Sequence, residues 1–326
     1  MPRIGYHCSH EQYPPSELLR LVVRAEAAGF ECAMSSEHFH PWSERQGHSG
    51  FALSWIGAAL QATSIPIGVL AIPGGWRYHP AIVAQAGATL AEMFPGRFWM
   101  APGSGEALNE QVVGGEWPVK AERDARLLEA VEIMRALWRG ETVTRHGRIR
   151  VEEAKLYSLP AAPPPLIGPA LTPQTAEWMG GWADGLITIV GEPEGMRAIL
   201  DAFRRGGGEG KPVFLQAQLS FAKREEDALR AAWDQWRSVM LPSHVISHLR
   251  TPAQFDAVGE VVRPEDVKRK MKISADPEWH LEWLRECVEM GFEEINLHCV
   301  NREEQERFID VFGERVLPEL RAAGRG

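Results

Sequence analysis

Short runs of branched and aromatic residues alternate with longer amphipathic stretches along most of the chain. Such alternation predicts strands separated by helices. The strands are predicted over residues 3–7, 32–36, 67–71, 97–101, 166–169, 185–189, 213–219 and 293–298. After the first strand, Leu18, Leu19, Val22 and Val23 are placed on one helical face, and Gly29 is positioned as the stop. A later helix spaces Leu127, Val131, Met134 and Trp138 at three- and four-residue intervals. Repeated β-then-α order implies parallel strands joined by right-handed crossovers, and eight of them predict an α/β fold, the (β/α)₈ TIM barrel. An open doubly wound sheet is the competing arrangement.

Two stretches interrupt this rhythm. Residues 140–165 end in the run PAAPPP, where proline's fixed φ and missing N–H predict an irregular connection. Residues 241–273 hold His244, His248 and the basic cluster Lys268, Arg269, Lys270 and Lys272, and are expected to form a lid. Both are taken as insertions within one domain spanning residues 1–326.

Composition narrows the function. The formal net charge of −9 gives no electrostatic reason to expect a nucleic-acid partner. The opening MPRIGYHCSH lacks the basic-then-apolar pattern of a signal peptide, and no apolar run is long enough to span a bilayer, so a cytoplasmic protein without a membrane partner is expected. Cys8, Cys32, Cys287 and Cys299 are scattered without a C-x-x-C pair, which suggests neither a disulfide framework nor a zinc knuckle.

In a parallel barrel the loops that follow the strands converge on one mouth. After the second strand comes Glu37-His38-Phe39-His40-Pro41-Trp42, and after the fourth comes GSGEALNE. An unperturbed histidine has its pKa near neutrality, so His38 is suited to proton transfer, although a satisfied structural histidine is the plainer reading. Glycines in the second loop let backbone approach a ligand, but Leu108 replaces the last glycine of a dinucleotide fingerprint. Glu106 is placed either to serve a ligand or simply to cap the helix that follows. Glu37, His38 and His40 also have metal-ligand spacing, with His298 as a further candidate, which keeps a metal-dependent hydrolase open. The loop GGWRYHP after the third strand offers flexible backbone, an aromatic surface and the cation Arg77, a combination suited to a flat anionic ligand.

The runs EHFHPW, GHSGFALSWIGAALQAT, RYHPAIVAQAGATL, PGRF and GSGEALNE together resemble the luciferase-like (bacterial luciferase superfamily) oxidoreductases. Within them the similarity is greatest to the branch that contains F420-dependent glucose-6-phosphate dehydrogenase. It is dense from about Ile4 to Trp138, returns at Trp182-Ala183-Asp184-Gly185, and is faint across 241–273.

The resemblance implies coenzyme F420 or FMN at the barrel mouth and hydride transfer between its ring and a small organic substrate. His38 corresponds to the family's active-site base, Trp42 to an aromatic beside the substrate, and Glu106 to the acid that serves the reduced ring. Glu37 and Asn109 match residues lining the cofactor pocket. Leu70, Ala71, Pro73, Ser104, Gly105, Leu171, Thr172 and Thr188 fall at the strand ends where the cofactor would lie. A non-proline cis peptide is implied at Leu70-Ala71. The chain departs from the branch at Leu171-Thr172, which replaces a phosphate-cradling Gly-Gly pair, and at Ile189-Val190-Gly191-Glu192, which lacks a sugar-phosphate lysine. Arg269 is the remaining candidate for a phosphate-binding cation. The same departures resemble an FMN-using offshoot, for which an FMN-dependent monooxygenase is the alternative; a non-catalytic flavin-binding member is a further one. Homo-oligomers, dimeric or larger, are common in the family.

Overall fold

The computed structural model describes residues 1–323. Eight parallel strands form the wall of a barrel: β1 Arg3–Cys8, β2 Cys32–Ser35, β3 Ile67–Ala71, β4 Phe98–Pro102, β5 Ile167–Pro169, β6 Gly185–Ile189, β7 Val213–Ser220 and β8 Glu294–Cys299. They run side by side in the order β4, β3, β2, β1, β8, β7, β6, β5. One bridge, Met100 to Leu166, closes the ring between β4 and β5, reinforced by Met100 N donating to Pro165 O at 3.0 Å. A closed barrel thus replaces the open-sheet alternative. Leu166, expected inside the fifth strand, makes only this bridge, so β5 is three residues long.

Strand alternation divides the core in two. Met34, Trp99, Ala101, Ile167, Ile187 and Phe214 fill the interior, and their neighbours on the outer face join a cluster shared with the helices. Gly68 on β3 exists for Trp99: a Cβ there would lie 2.0 Å from the indole ring. The helix Pro15–Ala27 buries Leu18, Leu21, Val22 and Ala25, an i, i+3, i+4, i+7 stripe. Val23, expected on that face, is exposed because it falls outside the stripe. Leu127, Val131, Met134 and Trp138 are all buried on the helix Lys120–Trp138, as their spacing predicts.

The stretch 140–165 is more ordered than its prolines suggest. Val143–His146 and Arg150–Ala154 pair as an antiparallel hairpin, with Val143, Ile149 and Val151 buried. Irregular chain begins only after it. The stretch 241–273 folds into the short helices Ser243–Ile246, Pro252–Gly259 and Pro264–Lys268, then adds the two-residue strand Lys272–Ile273 beside β7. Val262, Val267, Met271 and Ile273 pack with Trp236 in a separate apolar cluster. All four cysteines are free and buried, and among the described residues no helix is long and apolar enough to cross a membrane.

Candidate active site

The loops leaving β1, β2, β3 and β4 meet at one end of the barrel, where the chain must turn from strand to helix and polar side chains can face the opening. At their centre is His38, 7% exposed. Its Nδ1 lies 2.8 Å from Glu11 Oε1 and its Nε2 3.3 Å from Glu106 Oε1. The Nδ1–H is turned off the line to Oε1, so charge attraction rather than an aligned hydrogen bond holds the inner pair. The other oxygen of Glu11 accepts from Ser9 Oγ at 2.8 Å and Ser36 Oγ at 2.7 Å.

Burial by itself disfavours the imidazolium, but the Glu11 charge and the contacts to Glu106 and Glu11 outweigh it and push the His38 pKa up to about 10. Burial would likewise raise Glu11; the charge and contact of His38 and the Ser36 hydroxyl instead hold it well below the ordinary carboxylate range. The pair is therefore ionised at neutral pH, with the proton on His38.

Glu106 occupies the cap position of the short helix Ala107–Glu110, yet its side chain makes no capping hydrogen bond. It accepts from Asn109 Nδ2 at 3.0 Å and faces His38. Asn109 Oδ1 in turn accepts from Phe39 N at 2.7 Å and His40 N at 3.0 Å, joining the β2 and β4 loops. The Trp42 ring stands edge-on to His38 with centroids 4.6 Å apart, and Phe255 of the insertion supports it at 5.2 Å.

At the ends of β3, β4 and β5 apolar side chains form a ledge. A Cβ on Gly103 would lie 2.9 Å from Ile72, 3.6 Å from Leu70 and 3.7 Å from Pro169. Gly105 has φ +80°, where a side chain would be strained and would also meet Ile72 and Trp117. Ala71 and Pro73 are buried beside the ledge, while Ser104 is partly exposed. The Leu70-Ala71 peptide is trans, which corrects the cis bond implied by resemblance: all peptides of the described chain are trans. With that geometry Ala71 stays in register with Pro102, and its carbonyl accepts from Gly103 N at 2.8 Å.

Other expected positions diverge from the centre. Glu37 is 2% exposed, and its two oxygens are taken by Arg77 and Tyr78. Thr188 lies on the same strand face as Leu186, toward the helices, whereas its neighbour Ile189 opens to the mouth. Leu171 and Thr172 are exposed on the loop after β5; Thr172 Oγ1 caps the helix Pro173–Gly180 by accepting from Thr175 N. Arg269 is on the surface beside Asp266.

The metal-site alternative fails on convergence. His40 Nδ1 faces Leu108 O at 3.1 Å, and His298 stacks on His7 with its nitrogens toward Gln12 and Gln216. Burial and the adjacent His7 push His298 well below the ordinary imidazole range. No group of three or more candidate ligands comes together among the described residues.

The family model for luciferase-like monooxygenases matches residues 1–294. The chain belongs to that family. An F420-dependent glucose-6-phosphate dehydrogenase of Nakamurella multipartita is 34% identical over 337 residues, covering 99% of this chain and 98% of that protein. A protein of the same description from Intrasporangium calvum is 35% identical over 334 residues, covering 98% and 99%. Among solved structures, an F420-dependent secondary alcohol dehydrogenase in complex with an F420-acetone adduct superposes with a TM-score of 0.89 at 31% identity, covering 98% of this chain and 99% of that one. This luciferase-like protein is an oxidoreductase, as the resemblance implies.

One residue of this candidate site carries no mark in the sequence. Glu11 sits in a polar stretch three residues past β1, and only its place at the mouth could have singled it out.

Proposed function

We propose that the protein moves a hydride between coenzyme F420, bound on the ledge at the barrel mouth, and the carbon of a small uncharged secondary alcohol or ketone. The observation that carries this is the buried His38 held between the carboxylates of Glu11 and Glu106, beside the partly buried Trp42. The apolar ledge of Leu70, Ile72, Gly103 and Pro169 suits one face of a flat ring, and Gly103 and Gly105 let the β4 loop pack directly against Ile72, where Cβ atoms would clash. F420, when bound there, supplies a two-electron hydride acceptor or donor.

The protein's part is proton management and orientation. His38 gives its proton to a substrate carbonyl oxygen during reduction, so that no free alkoxide forms; oxidation is the same step in reverse and starts from the form whose imidazole has already lost that proton. Glu11 keeps the ring oriented and offsets its charge. Trp42, braced by Phe255, walls the substrate side. Glu106 is aligned by Asn109 toward the space between His38 and the ledge.

An uncharged substrate is favoured over a sugar phosphate by the state of the nearby cations. Arg45 is paired with Asp256 at 2.8 Å and Arg77 with Glu37 and Glu110, which leaves neither free to bind a phosphate, so a sugar phosphate would have to be held through Arg250, which lines a cavity with His40, Ala107 and Leu108. The test is parallel titration of the protein with F420 and FMN, followed by turnover of 2-propanol and of glucose 6-phosphate. Tight F420 binding with alcohol turnover alone is expected. FMN binding without F420 binding would move the protein to the monooxygenase alternative, and turnover of glucose 6-phosphate would overturn the substrate assignment.

A further inference from the structure

Arg77 lies between two segments that carry active-site groups. Glu37 immediately precedes His38, and Glu110 sits one helical turn beyond Glu106. The guanidinium grips Glu37 with Nη1 to Oε1 at 2.7 Å and Nη2 to Oε2 at 2.5 Å. It reaches Glu110 Oε1 at longer range, 3.2 Å from Nη2 and 3.4 Å from Nε, while its backbone N–H donates to Glu110 Oε2 at 3.4 Å. Tyr78 adds a hydrogen bond to Glu37 Oε1 at 2.7 Å and its ring underlies the guanidinium at 4.4 Å. The three side chains, Arg77, Glu37 and Glu110, are 7%, 1% and 0% exposed.

We infer that Arg77 is a positioning residue that clamps the His38 loop to the Glu106 helix, with Glu110 as the adjustable arm of the clamp. Two carboxylates share one guanidinium in a dry site, and the surplus negative charge is relieved when one of them binds a proton. The unequal grip selects Glu110, since Glu37 holds the two-pronged contact. Burial, opposed by Arg77 and aided by the Glu37 charge, pushes Glu110 up to about 7. Arg77, Glu37 and Tyr78 are the charged and titratable groups that face it.

The arm touches the site directly. Glu110 Cγ lies 3.1 Å from where a Gly105 Cβ would be, so it packs under the residue preceding Glu106. With Glu110 protonated, Arg77 is left to Glu37 and the His38 loop is held tight. When Glu110 ionises, the guanidinium is shared more evenly, and the Glu37 grip slackens.

Two arms test this, and only the second rests on the hydride-transfer reading. In the ligand-free protein, Tm is followed from about pH 5 to about pH 9 for wild type and Glu110→Gln. Glu110 binds its proton more tightly folded than unfolded, so it costs wild-type stability as pH rises from its unfolded value toward 7. The advantage of the Gln variant should therefore grow up to about pH 7 and then level off. A difference that does not change with pH would overturn the role given to Glu110. In the second arm, Arg77→Lys keeps the charge but loses the two-pronged grip; kcat should fall about tenfold with KM for the alcohol changed less than about threefold. Wild-type kcat in that variant would overturn the clamp. Should Arg77→Lys not fold, the pH profile of kcat in Glu110→Gln decides in its place: loss of an inflection near 7 supports the clamp, and an unchanged profile overturns it. If wild type shows no turnover with F420 at all, the hydride-transfer reading fails while the Tm arm still decides the clamp.

Discussion

At the scale of single residues, the chemistry turns on where one proton is held. Replacing His38 with Ala should lower turnover about a thousandfold while leaving cofactor Kd within about threefold, because the ledge does not depend on the imidazole. Steady-state kinetics and a binding titration on the same preparation check this. Glu11→Gln separates orientation from charge. The amide keeps the shape but removes the negative group that outweighs burial at His38, so the His38 pKa should drop from about 10 toward or below neutrality, and the pH at which proton donation fails should move down with it. The stability effect has a defined window. His38, raised by folding, contributes stability below its unfolded value that is lost as pH rises toward about 10; Glu11, lowered by folding, contributes stability above its unfolded value that is lost as pH falls into strong acid. Glu11→Gln should therefore cost about 3 kcal/mol at pH 7 in a denaturant melt. His38, Trp42, Glu106 and Asn109 were legible because they stand in dense local motifs at strand ends. Glu11 was not, since Ser36 and His38 are brought to it only by the pairing of β1 with β2. Strand position alone placed Thr188 near the mouth, and period-two alternation puts it on the strand face of Leu186.

Elements carry these residues, and the insertion 241–273 acts through one helix in particular. Asp256 on Pro252–Gly259 accepts from Ser43 Oγ and Glu44 N and pairs with Arg45, while the preceding residue, Phe255, backs Trp42. These contacts tie the β2 loop to the insertion. Asp256→Ala should free Trp42 to shift and raise KM for the alcohol about fivefold. These contacts are peripheral to the main core, so the change in stability should stay near 1 kcal/mol. A kinetic assay beside a thermal melt distinguishes that pattern from general unfolding. The eight barrel strands were readable as separate apolar runs. The hairpin within 140–165 was masked, because its strands are short, mostly charged on their open face and followed closely by prolines. Its pairing depends on Ile149 and Val151 being buried, which no local pattern announces.

At the scale of the whole molecule, the barrel is held unevenly. β1 and β8 share four register pairs and β7 and β8 share six, whereas β4 and β5 are joined by a single bridge and one further hydrogen bond. Local opening follows the weakest cooperative boundary, so amides of β5 and of its seam with β4 should exchange with solvent faster than those of β1 and β8. The seam also lies under the proposed ring site: Gly103 follows β4, Pro169 ends β5, and the two meet across it. A cofactor seated on that ledge touches both sides and binds only the closed form, which stabilises closure by mass action. Hydrogen-exchange mass spectrometry should then show F420 slowing exchange at Met100 and along Ile167–Pro169 more than at β1, by about a hundredfold in opening equilibrium at a hundredfold excess over Kd. Protection spread evenly over all eight strands would mean that the barrel opens only as a unit. Protection confined to the 241–273 insertion would place the cofactor outside the mouth.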